Sequence, residues 1–586
     1  MQDRYDTFLI LSGAFVILTS DGGHRIEVVM YTSIGAMMKR TWGSVPFLRP
    51  LILFVIGGVL GTLVAYDPVV SLAWLAPMIA GAALYLSMMT VLRHRLAIIA
   101  LVLAFWSIGY SVLLATQYRY LGFDEKLGLA TWLGRLFSSP FPDVTPAFID
   151  ANAAASFLAP AIPLIIGLAW TARGVCRVAW GIAAGSVAFG VLLTSSRGAF
   201  VALAAAGLFW LLVRVQASAH QSGAHMPRFD LRSAIVAGAV IAGAVAGGLL
   251  LVWHPLTQDA LASAMLRAED RLAVYRNSLF LALDFPFSGI GPGAVFGQMY
   301  SRFQLLIIPT YIGYAHNLFL GVWLAQGIIG LIGFLWLLIA SLRRIAPTLH
   351  AQSPLIQGAA IGCVALLFHG LTDAPQYATS WATLILAFGL FGMTAATCRP
   401  TEALLLAVAP ATKRHSICSW VVAIAGVIGL TLSAPHLAAA GAGNIAAGFQ
   451  ARAMLAEGLT QEERAALMHE SVVWVNHGLR IAPDSPLIQK RLGMLALDLG
   501  DYPRAISALE RAQPLLADDQ AVCKALGMAY VWNGDPDHGA EILARLDYAD
   551  EVREELGIWV YAWRERGRDD LAAYAQRAAQ AMAAIH

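Results

Sequence analysis

Charged residues are scarce in this chain of 586 residues. Asp, Glu, Lys and Arg make up 13% of the sequence, whereas an ordinary globular domain carries about 25%. Hydrophobic residues make up 58%. This balance excludes a chain that is soluble throughout, and it predicts a polytopic membrane protein with a soluble region attached.

Cysteine is also rare, with five residues at positions 176, 363, 398, 418 and 523. They are scattered and form no CxxC pair, so the sequence indicates neither a disulfide framework nor a zinc site. The net charge of +2 hides a division. Residues 1–435 hold 25 Lys and Arg against 16 Asp and Glu, and residues 436–586 hold 14 against 21. Neither pattern predicts nucleic-acid binding.

Thirteen apolar runs are predicted as membrane spans, because a spanning helix needs about 20 apolar residues. The first run resembles a signal peptide but lacks a small-residue cleavage site, so it is interpreted as a retained span. The first two runs are short and form either two spans or one broken helix. The runs lie near residues 7–20, 26–38, 51–66, 70–90, 96–116, 152–170, 178–194, 199–213, 233–253, 315–340, 355–371, 378–396 and 417–435. The predicted fold class is all-α, a bundle of about 12–13 transmembrane helices followed by a small helical-repeat domain.

Basic residues recur in every second loop, which predicts that those loops are cytoplasmic. The opposite face then carries two long loops, 117–151 and 254–314, together with the C-terminal tail. The basic clusters are Lys39-Arg40 with Arg49, Arg93 with Arg95, Arg173 with Arg177, Arg214 with Arg228 and Arg232, Arg343-Arg344, and Arg399 with Lys413-Arg414.

The tail contains a repeat. The triplet at 492–494, Leu-Gly-Met, returns at 526–528, and the Gly-Asp pair at 500–501 returns at 534–535, both after 34 residues. This period is typical of tetratricopeptide repeats. Residues 440–586 are therefore predicted to form a helical domain on the outer face that binds a partner protein or braces the loops.

His316 and Asn317 open a long apolar run, AHNLFLGVWLAQGIIGLIGFLWLLIA. An ionisable group at such a place is a functional candidate. On the first turn of a helix the ring would be kept neutral, as a general base requires, although a histidine there can also be only a hydrogen-bonding cap. His369 and Asp373 end the span 355–371 and either orient a substrate or only stabilise the helix end.

Arginines supply the second group of candidates. The segment 257–284 predicts an amphipathic helix with Arg267, Arg271 and Tyr275 on one face and Arg276 on another. Guanidinium groups bind phosphate oxygens through paired hydrogen bonds, so these arginines and Arg197 could hold a diphosphate. The alternatives are solvated charges on an interfacial helix and a snorkelling Arg197.

The glycines of DFPFSGIGPGAVFG could let backbone amides approach a phosphate. The segment lacks the lysine of a P-loop, and it is not bounded by a strand and a helix. A tight turn is therefore the favoured interpretation.

Four segments occur in a characteristic order: TSSRGAF, R-x₃-YR-x₇-DFPFSGIGPG, AHNLFLGVWLAQGIIGLIGFL and HGLTDAP. Together they resemble the superfamily of O-antigen ligases and O-antigen polymerases, bacterial lipid-linked glycan transferases that include protein O-oligosaccharyltransferases. The resemblance covers residues 178–400. Tetratricopeptide-like tails also occur in such proteins.

The resemblance implies a metal-independent glycosyltransferase at the outer face of the bacterial inner membrane that acts in lipopolysaccharide or other polysaccharide biosynthesis. In-line attack of the acceptor hydroxyl on the anomeric carbon would then invert the configuration once. The donor would be a glycan on undecaprenyl diphosphate, and the acceptor a glycan, lipid A-core or a protein. By the same resemblance no cofactor, metal or nucleotide sugar is expected, and the chain offers no DxD-type or metal-ligand cluster where one would be expected. The resemblance implies His316 as the catalytic residue and Arg197 and Arg271 as diphosphate ligands, with Arg276 second. Arg267 stays a candidate diphosphate ligand because it shares a helix face with Arg271. The supporting candidates are Tyr314, Asn317, His369 and Asp373.

Ligase and polymerase share this chemistry, and the sequence leaves both open. A polysaccharide transporter or flippase is the alternative from another class. A transporter would need charged or broken helices at mid-membrane. The predicted spans are mostly free of charge and carry their polar groups at one face, which favours the enzyme.

Overall fold

The computed structural model describes residues 6–11, 14–21, 25–28, 47–89, 95–123, 127–144, 149–222, 258–310, 312–351, 353–377, 380–396 and 413–585. These residues form twenty α-helices and a small N-terminal sheet. The predicted all-α class is confirmed for the membrane bundle and the tail.

The N-terminal residues form strands where the apolar run 7–20 predicted a helical span. Strand β1 (Asp6–Leu11) pairs antiparallel with β2 (Ala14–Asp21), and β2 pairs with β3 (Arg25–Val28). The run is rich in Ile, Val and Thr, which favour strands, and it is shorter than the roughly 20 residues of a spanning helix. The prediction of a retained first span is therefore wrong. The run 26–38 lies mostly outside the described residues.

The membrane bundle contains six described helices that are long and apolar enough to cross a bilayer. Three shorter apolar helices accompany them, and together they make the chain a multi-pass membrane protein. The predicted run 233–253 lies outside the described residues. The six are α2 (Pro68–Met89), α3 (Leu96–Gln117), α5 (Ala151–Thr171), α6 (Val175–Thr194), α10 (Leu318–Ala351) and α11 (Pro354–Thr372), and the three shorter ones are α1 (Leu48–Val64), the start of α7 (Arg197–Ser222) and α12 (Trp381–Ala396).

Small residues bring the central helices into backbone contact. A Cβ atom on Gly362 of α11 would lie 2.5 Å from the carbonyl oxygen of Pro160 on α5. A Cβ atom on Gly57 of α1 would lie 2.6 Å from the backbone of Gly330 on α10. Close approach through small residues is a main source of helix association in lipid. These contacts hold α11 against α5 and α10 against α1, and the ends of α5, α10 and α11 carry the candidate site.

Helix α10 is broken at Gly327, where φ is +63°. The glycine-rich segment 285–293 docks into this break. The Ile290 amide donates to the Leu324 carbonyl at 2.6 Å, and the Ile328 amide donates to the Pro286 carbonyl at 2.9 Å. Because only glycine adopts this conformation without strain, Gly327 permits the break.

The long loops contain helices of their own. Loop 117–151 holds α4 (Gly128–Ser138). The predicted amphipathic helix over 257–284 is confirmed as α8 (Gln258–Asp284). It is followed by α9 (Phe296–Tyr300) and a π turn at Ser301–Leu305.

The tail is helical, as the sequence predicted. Helix α13 (Lys413–Leu455) passes unbroken from the last predicted span through the expected boundary at 435–440. Leu509 packs on Gly493, and Leu543 packs on Gly527, so the same contact recurs after 34 residues. The tetratricopeptide assignment stays a prediction. The remaining helices are α14 (Gln461–Ile481), α15 (Pro486–Asp498), α16 (Tyr502–Ala512), α17 (Gln520–Trp532), α18 (Pro536–Leu543), α19 (Ala549–Glu565) and α20 (Asp569–Ile585).

Candidate active site

His316 lies just before helix α10 and not on its first turn, which corrects the sequence prediction. The helix begins at Leu318, and His316 has a left-handed backbone with φ at +53°. The Asn317 side chain accepts hydrogen bonds from the Phe319 amide at 3.0 Å and the Leu320 amide at 3.2 Å. Asparagine is a preferred N-cap. Asn317 therefore caps the helix, and His316 projects from the preceding loop.

The His316 ring contacts a carboxylate from another helix end. Its Nδ1 atom lies 3.2 Å from Oδ1 of Asp373. Asp373 follows the last residue of α11, and its amide donates to the His369 carbonyl at 2.8 Å. The Asp373 side chain is 3% exposed, whereas that of His316 is 22% exposed. The pair thus has a buried carboxylate and a partly accessible imidazole.

Arg271 reaches the same carboxylate from helix α8. Its guanidinium lies 3.7 Å from Oδ2 of Asp373 and donates to the Thr372 carbonyl. The Arg271 side chain is 41% exposed. One helical turn later, the Tyr275 hydroxyl lies 3.1 Å from the His316 carbonyl and 3.2 Å from the Leu371 carbonyl. The hydroxyl has one proton, which it can donate to either carbonyl, so Tyr275 places α8 beside both segments.

The charges of the site favour an ionised Asp373. Burial alone would raise its pKa, but the hydrogen bond and charge of His316, with His369 and Arg271, lower the pKa overall. Tyr314 packs on the His316 ring, with ring centroids 4.2 Å apart. Burial, followed by the charge of Asp373, raises the pKa of Tyr314. Tyr314 therefore lines the site as an uncharged side chain.

Asp150 is a second carboxylate near the site, and no sequence motif marks it as a functional residue. It caps helix α5 by accepting from the Ala153 amide at 2.7 Å. Burial raises the pKa of Asp150; the charge of Asp373 raises it further, and that of His316 lowers it. The sequence feature that could have identified Asp150 is its position, as an acidic residue of a predicted outer loop at the start of a span. Tyr275 was recognised only as a face neighbour of Arg271.

The beginning of α7 packs against the end of α11. A Cβ atom on Gly198 would lie 2.6 Å from Oγ1 of Thr372 and 3.8 Å from Nε2 of His369. Arg197 precedes this glycine and is exposed. His369 is buried, and neither of its ring nitrogens has a hydrogen-bond partner among the described residues. The segments with Arg197, His316 and Asp373 therefore meet at one end of the bundle.

The other two candidate arginines are placed differently. Arg276 points away from His316 and contacts Asp547 in the tail at 2.5 Å. The backbone of Arg267 lies on α8, four residues before Arg271, but its side chain is outside the described part of the structure.

The glycine-rich turn uses its amides within the protein. The amides of Phe287 and Ser288 donate to the Asn444 side chain at 3.0 and 3.2 Å. The Ile290 amide bonds to Leu324, as described above. These contacts fit the tight-turn interpretation and give the segment a packing role.

Residues 182–335 match the family model for O-antigen ligase. The match confirms the predicted resemblance to the O-antigen ligase superfamily, and it supports a membrane glycosyltransferase of the ligase or polymerase type. It includes α8, His316 and the break in α10, and it ends before Asp373 and the tail. No curated protein matches the chain. Within the described residues, no group of three His, Cys, Asp or Glu side chains could hold a metal ion.

Proposed function

We propose that this protein transfers a glycan from undecaprenyl diphosphate to an acceptor hydroxyl at the outer face of the inner membrane, with the tail in the periplasm. The observation that carries the proposal is the contact of His316 and Arg271 with one buried carboxylate, Asp373. This cluster joins a base, a group that orients it and a cation. The family match over 182–335 supports the reaction class.

Asp373 orients the base. Its carboxylate accepts the hydrogen bond of the Nδ1–H group of His316, which leaves the lone pair on Nε2 to accept a proton. The same carboxylate stabilises the imidazolium that forms during the reaction. Because the pKa of Asp373 is lowered, the carboxylate is charged at neutral pH.

The transfer then proceeds in one displacement. His316 removes the proton of the acceptor hydroxyl, and the oxygen attacks the anomeric carbon of the donor sugar. The bond between that carbon and the diphosphate oxygen breaks, and the lipid diphosphate leaves with the bonding electrons. The configuration at the anomeric carbon inverts, and no covalent enzyme intermediate forms.

Arg271 stabilises the leaving group. Its contacts with Thr372 and Asp373 fix one side of the guanidinium, and 41% of the side chain stays exposed to meet an anion. A fixed cation is most effective where negative charge develops in the transition state. Arg197, at the start of α7, is proposed as a second ligand of the diphosphate.

The test is an in vitro transfer assay on the purified full-length protein in lipid nanodiscs. A lipid-linked glycan is offered together with lipid A-core, a second lipid-linked glycan or an acceptor protein, so that ligase and polymerase activities are separated. We expect His316→Ala to reduce transfer to background while thermal unfolding is unchanged. The matched control is His469→Ala, an exposed histidine on α14. Full transfer by His316→Ala would exclude the general-base role. Movement of the intact lipid-linked glycan across the bilayer of proteoliposomes, without transfer, would favour a flippase.

A further inference from the structure

Helix α8 connects the candidate site to the tail because its side chains point in two directions. Arg271 and Tyr275, four residues apart, contact Thr372 at the site. Arg276, Phe280 and Asp284, also spaced by four, contact the tail. Residues with this spacing lie on one face of a helix. One rigid helix therefore touches the reaction centre with one face and the tail with another.

The contacts on the tail side are specific. Arg276 forms an ion pair with Asp547 at 2.5 Å. The ring of Phe280 lies beneath the ammonium group of Lys490, 6.0 Å from the ring centroid. Asp284, the last residue of α8, binds Lys490 and Arg491, each at 2.9 Å.

Asp284 belongs to a buried network of charges. Lys490 also binds Asp519 at 2.7 Å, and the four charged side chains of this network are at most 3% exposed. Removing one partner of a buried ion pair leaves a charge without compensation. The network therefore holds the end of α8 in one position relative to the tail.

The segment after α8 is attached to the tail in the same manner. Arg302, in the π turn, pairs with Asp498 at 3.0 Å. The Lys524 ammonium donates to the Leu305 carbonyl at 2.7 Å. The tail thus binds the loop at both ends of a stretch that begins at Arg276 and ends at Leu305.

We propose that the tail positions Arg271 and Tyr275 for catalysis, with Arg276, Asp284, Lys490 and Arg491 as positioning residues. This inference rests on the proposed transferase function. It gives Arg276 a role that differs from diphosphate binding, because Arg276 pairs with the tail. A displacement of about 1 Å at a reacting centre can reduce a rate by a hundredfold, so a firmly held α8 matters to the reaction.

Charge reversal at the exposed end of this contact tests the proposal. Arg276→Asp and Asp547→Arg are made singly and together, and kcat and KM for the lipid-linked donor are measured on the full-length protein in nanodiscs. An isolated exposed ion pair contributes little, but reversal brings like charges together. We expect each single variant to lower kcat by about three- to tenfold with little change in KM, and the double variant to recover most of the loss.

The matched control is another exposed ion pair of the tail. Arg577 contacts Asp537 at 2.5 Å, and the pair links α18 to α20. Arg577→Asp should leave kcat unchanged. If Arg276 bound the diphosphate instead, Arg276→Asp would raise the donor KM and Asp547→Arg would not restore it. That result would overturn the positioning role.

A second measurement is independent of transfer activity. Amide hydrogen exchange across residues 271–284 should accelerate in Arg276→Asp and return to the wild-type rate in the double variant. Unchanged exchange in the single variant would overturn the inference. If the wild-type protein shows no transfer, the proposed function fails, whereas the exchange result still decides whether the tail holds α8.

Discussion

Helix α8 contacts one charged cluster at its middle, through Arg271, and a second at its C-terminal end, through Asp284. The two clusters differ in whether their charged side chains reach the surface. Each contains an aspartate with a side chain that is 3% exposed, Asp373 at the site and Asp284 at the tail. The partners of Asp373 reach the surface, whereas the partners of Asp284 are buried. Charged side chains that are all buried can stabilise the fold but cannot contact a substrate. His316 and Arg271 are partly exposed, so they can do both.

The pKa values of the buried carboxylates shift in opposite directions in the two clusters. Burial alone would raise the pKa of Asp373, but His316 lowers it overall. Burial raises the pKa of Asp519 in the tail network, although the charge of Lys490 opposes the change. The site therefore keeps its carboxylate charged, and the tail network depends on its cations to tolerate buried carboxylates.

The largest effect is expected from Asp373→Asn, which breaks the site cluster with almost no change of shape. The Asn amide can donate to Nδ1 of His316 and so moves the ring proton to Nε2, where the base must be unprotonated. By analogy with a catalytic triad, kcat should fall on the order of a thousandfold or more, with little change in donor KM. The assay is steady-state transfer in nanodiscs.

The control for this variant is Asp550→Asn, which removes an exposed carboxylate that pairs with Arg553 on α19. It should retain full activity. An Asp373→Asn enzyme within about threefold of the wild-type rate would separate Asp373 from the chemistry and leave it with a structural role.

The next largest effect is expected on the free energy of unfolding, at two buried lysines of the tail, Lys490 and Lys524. Lys490 contacts two carboxylates, whereas Lys524 contacts only Glu555 among the acidic side chains of the described residues. Lys490→Met should lower the free energy of unfolding by about 3–5 kcal/mol, because it leaves buried carboxylates without their cation. Lys524→Met should lower it by about 1–2 kcal/mol. Urea unfolding, followed by proteolysis of the tail, measures both.

The pH dependence separates the two lysines further. Burial alone would lower the pKa of Lys490, but Asp284 and Asp519 raise it overall. Its stabilising contribution is therefore complete below the ordinary value of 10.5 and is lost as the pH rises through the higher folded value. Burial lowers the pKa of Lys524, so the cost of keeping its buried ammonium group charged diminishes as the pH rises towards 10.5, whereas its hydrogen bonds to Leu305 and Glu555 still stabilise the fold. If Lys490→Met and Lys524→Met lost the same free energy of unfolding at every pH, the proposed difference between the two lysines would be wrong.

Part of this arrangement could be predicted from the sequence. Apolar runs predicted the described membrane helices, and the spacing of Arg267, Arg271 and Tyr275 predicted α8. Both patterns depend only on local helix geometry. The contact of Arg276 with Asp547 joins residues 271 positions apart and depends on tertiary packing, which no local pattern carries. The run 7–20 was misassigned because short apolar runs fit a strand or a helix.

The smallest effect is expected at Asn317, where single hydrogen bonds rather than buried charges hold the site. Asn317→Ala removes the cap on α10 and the bond from the Asn317 amide to the Leu371 carbonyl at 3.3 Å. Loss of a cap costs about 1 kcal/mol. We expect a fall in kcat of about three- to fivefold and faster amide exchange at Phe319 and Leu320.

Asn317→Asp distinguishes the two bonds that Asn317 makes. An aspartate still accepts from the amides of Phe319 and Leu320, and its charge suits the positive end of α10. It cannot donate to the Leu371 carbonyl. If the cap is what holds the His316 loop, Asn317→Asp should retain wild-type kcat and amide exchange. If this variant is as slow as Asn317→Ala, the bond to the end of α11 is the one that keeps His316 against Asp373.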